Sequence, residues 1–164
     1  MLSRFCKILS PLCAGMAVRA ITNRVDDVVV RLWKANPDLS TAWEQYRGSS
    51  DYKADQPYNS LAELAHRLVD GRSAGMSTEL KPVFLELEDA LSGADQRDRN
   101  LLIVGFIEDL QNISMNRGVP LRDWDRWLGP ITREAWSQVE KLWSGEITPA
   151  EFNQYVDGPE KEAP

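Results

Sequence analysis

The chain has 164 residues, 43% of them apolar, and carries 25 acidic against 19 basic side chains for a net charge of −6. A chain of that length suits one domain with one core, burying roughly 70% of the surface its unfolded form exposes. The acidity argues against nucleic acid as a partner, because phosphate binding needs clustered Lys and Arg to displace counterions, and it favours a basic protein partner.

Met1 to Gly15 reads MLSRFCKILSPLCAG, with Arg4 and Lys7 ahead of a short apolar stretch, the rough outline of a signal peptide. Ser10 and Pro11 interrupt that stretch, which is far below the roughly 20 residues needed to span a bilayer. A leader (or a true start at Met16), a packed extra helix and an export signal all stay open for residues 1–15. Both cysteines, Cys6 and Cys13, fall here; on a helix their spacing is about 10 Å of rise, too far for a disulfide. A cysteine-free body argues against an oxidised secreted scaffold. Residues 16–158 are expected to form a single helical domain, and the tail 159–164, PEKEAP, is disordered by composition.

From Met16 onward, Val18, Ile21, Val25, Val28, Val29 and Leu32 make one apolar stripe on a helix that must end near Asn36-Pro37. A shorter helix carries Leu39, Ala42, Trp43 and Tyr46 and stops at Gly48. Residues 49–58 are polar without a period and read as a loop. Ser60 and Glu63 then have capping-box spacing before Leu61, Leu64, Ala65, Leu68 and Val69, with Gly71 closing the helix ahead of a second loop.

Ser77 or Thr78 is expected to cap a helix bearing Leu80, Val83, Phe84, Leu87 and Leu91, with Pro82 tolerable only in its first turn and Gly93 as its end. The most apolar helix follows, about Gln96 to Asn116, whose large side chains wrap too far round for a surface helix and mark it as central. Gly118 and Pro120 turn the chain into a short helix, Leu121 to Leu128, broken at Gly129-Pro130. Thr132 is expected to cap a helix in which Trp136 and Trp143 face the core together, and Thr148-Pro149-Ala150-Glu151 opens a last helix with Phe152, Tyr155 and Val156. No stretch alternates like a strand and no unit repeats, so the expected fold is all-α, a compact irregular bundle of seven or eight helices.

The sequence offers little for chemistry. It has no phosphate-cradling glycine loop, no nucleophile elbow and no zinc-spaced cysteines, and its single histidine, His66, excludes a histidine-rich metal site. No catalytic residue, metal or cofactor is assigned. Glu86, Glu88 and Asp89 alternate around their helix as a solvated face would. Glu108, Asp109 and Asn112 differ, because they interrupt the most hydrophobic helix, where burying a carboxylate is costly unless it is paired. Either Arg97, Arg99, Arg117 or a loop backbone bonds to them, or they open onto a groove and bind a basic partner residue or, with ligands from elsewhere, a metal.

Four of the six tryptophans lie between 124 and 143. Trp124 and Trp127, interleaved with Asp123 and Asp125, either form an exposed binding edge or plug the end of the bundle. The expected partner-binding set is therefore Glu108, Asp109, Asn112, Asp123, Trp124, Asp125 and Trp127.

The run GFIEDLQN, the following glycine-proline turn and the tryptophan-rich RDWDRWLGPITREAWSQVEKLW resemble a small bacterial family of uncharacterised acidic helical proteins, over roughly Leu101 to Trp143. Such proteins are of the kind found as immunity partners of secreted or contact-delivered toxins. The resemblance implies a cytoplasmic protein that neutralises a toxin domain by occluding a basic active-site cleft, without nucleic acid or membrane as partner. Two other readings stand beside it: a carboxylate-dependent enzyme centred on Glu108 and Asp109, with or without a divalent metal, and a regulatory or self-associating helical domain.

Overall fold

A computed structural model describes residues 27–75 and 80–158. The expected leader, the Val18–Val25 part of the first stripe, the Ser77 and Thr78 cap and the tail lie outside these residues. Among the described residues every regular element is helical. In chain order they are α1 (27–34), α2 (Pro37–Arg47), α3 (Pro57–Ser73), α4 (Lys81–Ser92) and α5 (Gln96–Leu102). A π-helical segment (Ile103–Glu108) joins α5 to α6 (Asp109–Arg117), a 3-10 helix covers Leu121–Trp127, and α7 (Pro130–Ser144) and α8 (Pro149–Asp157) complete the bundle.

Local chemistry sets most boundaries. The Asn36 side chain accepts from the Asp38 and Leu39 amides while Pro37 fills the first helical position, so α1 ends and α2 begins within three residues. Thr148 and Glu151 form the reciprocal capping box of α8. Pro82 stays in the first turn of α4. Two expected caps are corrected. Helix α3 starts at Pro57, a turn before Ser60, because proline is preorganised for a first turn; Ser60 is buried and its carbonyl accepts from the Trp33 indole at 3.0 Å. Nor does Gly71 end that helix, which continues to Ser73.

The second corrected cap is Thr132, which lies inside α7, fully buried. The cap comes from another helix. Glu88 of α4 accepts the Ile131 amide at 2.8 Å, the Thr132 amide at 2.8 Å and the Thr132 hydroxyl at 2.6 Å. Its carboxylate thus meets the donor-rich end of α7, where negative charge is favoured, and it is no part of a solvated face. Burial pushes the Glu88 carboxyl up, but these three hydrogen bonds outweigh burial and hold it below the usual carboxylate range.

The core runs from Leu32 and Trp33 through Leu61, Leu64, Phe84 and Leu87 to Leu102, Phe106, Ile107, Leu110 and Val139, each at most 1% exposed. Each such side chain contributes about 1.5–3 kcal/mol by leaving water. Aromatic rings close both ends. Trp33 and Trp43 lie 5.4 Å apart with Tyr46 and Tyr52 around them, and Phe84, Trp124 and Trp127 form a second cluster with centroids about 6 Å apart.

Helix α3 and the α5–π–α6 rod lie side by side and run in the same direction. The Tyr58 hydroxyl donates to Asn100 at 2.7 Å, His66 lies beside Asp109, and Arg117 pairs with Asp70 at 3.5 Å. Helix α4 returns the chain to the start of the rod and packs chiefly on α7.

Candidate functional site

The π segment decides which side chains this seam presents. Asp98, Leu102 and Gly105 follow one another at helical steps and are buried. Eleven residues after Asp98, an unbroken α-helix would return to within about 20° of that stripe and drive residue 109 into the core. A π turn takes in one extra residue, so the stripe slips by one. Leu110 is fully buried in its place and Asp109 moves to the rim, partly buried beside Glu108. Gly105 permits the close packing at this point: a Cβ there would come within 2.7 Å of the Tyr58 ring.

Neither carboxylate has an ion pair or hydrogen bond among the described residues. Of the arginines expected nearby, Arg117 pairs with Asp70, Arg99 lies over the Tyr155 ring at 4.6 Å, and Arg97 is exposed. Burial pushes both acids up; for Glu108 the neighbouring Asp109 adds to the rise, whereas for Asp109 the nearby His66 partly offsets it. Asn112 is exposed one turn further on and accepts from Asn116 at 3.1 Å.

His66 is exposed on α3, and with Asp70 it also lines a groove of about 660 Å³ bounded by Leu39, Ala42, Leu68 and Leu80. The histidine was not among the residues expected at the site. Its only sequence signal is its place one residue beside the Leu61–Leu64–Leu68 stripe, and only the packing of α3 on α6 brings it to Asp109. Among the described residues no three His, Cys, Asp or Glu side chains converge to hold a metal ion.

The other expected residues sit at the far end of the rod. Trp124 is fully buried and its indole donates to the Ser114 hydroxyl at 3.1 Å, so it plugs the bundle and presents no surface. Trp127 is half-buried against Phe84, with the Arg126 guanidinium 4.1 Å over its ring. Asp123 pairs with Arg72 at 3.2 Å, and Asp125 is exposed. The expected set therefore divides into two: an acidic seam of Glu108, Asp109 and Asn112, and a 3-10 segment rich in arginine. Trp143, expected in the core beside Trp136, is 47% exposed against 2% for Trp136. Helix α7 outruns the layer beneath it: Val139 is buried, Leu142 partly so, and Trp143 stands beyond the edge.

The fold and the seam define an all-α bundle with two partly buried acids, both held above their ordinary range, at the rim of a π-interrupted central helix. The chain belongs to the family described as a domain of unknown function (DUF7674), whose model matches residues 29–144 and so takes in the seam and the 3-10 segment. No curated protein and no solved structure matches it. No helix among the described residues is long and apolar enough to cross a membrane.

Proposed function

We propose that this chain is a non-enzymatic protein-binding domain whose α3–α6 seam receives a basic side chain of its partner. One observation carries the reading: Glu108 and Asp109 are partly desolvated yet have no ion pair among the described residues. A Lys or Arg supplied from outside would relieve the repulsion between them and gain a charge-assisted contact in a partly dry setting. The net charge of −6 supports electrostatic steering of a basic partner. The most concrete form of this reading is an immunity protein of the cytoplasm that neutralises a bacterial toxin domain by occluding a basic active-site cleft. Affinity capture from the native host, read by mass spectrometry, should recover one stoichiometric partner whose retention falls with salt and fails with Glu108→Gln/Asp109→Asn. Equal retention by that double variant would sink it.

A second reading has its own support. Two acids held above their ordinary range, one of them, Asp109, near the sole histidine, which itself lines a groove, are also what a carboxylate-dependent enzyme needs. A divalent ion or nucleotide acting there would raise the melting temperature of the wild type and not of the double variant.

A further inference from the structure

The C-terminal turn of α3, the 3-10 helix and the first turns of α7 bring Arg72, Arg122, Arg126 and Arg133 around an open cleft of about 470 Å³, together with Asp123 and Asp125. Four guanidinium groups against two carboxylates leave this cleft positive on a chain that is negative overall. Two of the arginines are fixed by the protein. Arg72 bonds Asp123 at 3.2 Å and lies 5.5 Å from the Trp127 ring centre, and its Nε is buried with no acceptor among the described residues. Arg133 donates to the Asp125 and Leu128 carbonyls at 2.8 and 3.0 Å. The other two, Arg122 and Arg126, are exposed and have no ion pair among the described residues.

Arg126 is nonetheless placed. Its guanidinium rests over the Trp127 ring, a contact that uses the π face and leaves the N–H donors free in the guanidinium plane. An arginine held this way loses less freedom when it binds an anion, which is where much of the cost of recognition lies. Several forks around one opening suit an oxyanion with three acceptor oxygens and up to two charges better than a single carboxylate, which one fork satisfies.

We propose that this cleft binds a phosphoryl group, with Arg122 and Arg126 as its principal donors and Arg72 as the anchored third. The cleft opens to solvent, which leaves room for whatever carries the phosphoryl group. The cleft shares Arg72 with the groove that His66 lines but contains neither Glu108 nor Asp109 and is opposite in sign to the seam, so its failure would leave the seam reading untouched.

The test is a titration of the full chain with sodium phosphate, pyrophosphate and a phosphoserine peptide, at ionic strength held constant with chloride. The readout is the indole N–H resonance of Trp127 by NMR, assigned through Trp127→Phe. A saturable shift is expected, with affinity reduced at least about 10-fold in Arg122→Ala/Arg126→Ala, since two charge-assisted donors are lost. Both arginines are exposed and only the Arg126–Trp127 stacking is lost, so the variant should melt cooperatively within a few degrees of the wild type, which excludes misfolding as the cause. Tighter binding of the peptide than of pyrophosphate supports the site with a phosphorylated protein as carrier; the reverse order supports it with a small phosphate ester. A non-saturating shift, a shift that chloride reproduces, or one that survives the double substitution overturns the proposal.

Discussion

The Tyr58 ring packs over Gly105 so closely that a Cβ there would stand 2.7 Å from ring carbon Cδ1. This close approach lies within the packing of α3 on the π segment, on the same face of the rod as the seam.

Gly105→Ala should therefore destabilise the fold although alanine is the better helix former. The propensity gain is about 1 kcal/mol, whereas forcing a methyl against a ring held by its own hydrogen bond to Asn100 costs about 1–3 kcal/mol. Chemical denaturation should show a net loss, and the Tyr58→Ala/Gly105→Ala pair should recover part of it.

Glu88 is the remote cap of α7, and Glu88→Ala should cost about 1–2 kcal/mol, the range for loss of a helix cap. Its carboxyl lies below the ordinary range in the fold, so the stabilisation is present above the unfolded pKa, close to 4.5, and is lost as pH falls through the lower folded value. The gap in stability between wild type and Glu88→Ala should accordingly narrow in acid. Gly129→Ala should also destabilise, since a Cβ there collides with the same carboxylate.

For Glu108 and Asp109 the sign is reversed. Their folded pKa values lie above the unfolded ones, so the stability tied to these groups is present below the ordinary values of 4.5 and 3.8 and is lost as pH rises through the folded ones. Glu108→Gln and Asp109→Asn should each raise the melting temperature at pH 7 by on the order of a few degrees, with no gain at pH 3. Acids that cost stability where they stand are the pattern of a site kept for function.

The two tryptophans seven residues apart on α7 should behave differently. Trp136→Ala should cost about 3–5 kcal/mol, as a large buried side chain does, whereas Trp143→Ser should stay within about 0.5 kcal/mol. Urea melts of both variants measure the contrast.

Much of the bundle is readable from apolar spacing and punctuation. Pro37, Gly93, Gly118 and Gly145 mark ends, and the Thr148–Glu151 box opens α8 as its residues suggest. The failures share a cause. Thr132 and Ser60 look like caps because a cap motif is local, but here Glu88 reaches across from α4 and Pro57 starts its helix a turn early. Glu88 itself reads as a surface acid until α7 is placed over it.

The seam was partly legible. Polar residues breaking into the most apolar helix single out Glu108, Asp109 and Asn112, yet the π turn that brings Asp109 to the rim leaves only a one-residue slip between Asp98–Leu102–Gly105 and Leu110–Ser114. That slip looks like a helix apolar all round. His66 and the arginine cleft arise from neighbours more than 30 residues apart in sequence, or from one charge sign outnumbering another in space, and neither leaves a local pattern.

The central claim is that Glu108 and Asp109 await a cation from outside the chain. Calorimetric titration of the captured partner into wild type and into Glu108→Gln/Asp109→Asn tests it most directly, because that variant should be the more stable of the two and any loss must come from contact. The account predicts at least about 10-fold weaker binding by the variant, with a shallower dependence on salt. Affinities that agree within about 2-fold, a difference of less than about 0.5 kcal/mol, would contradict it.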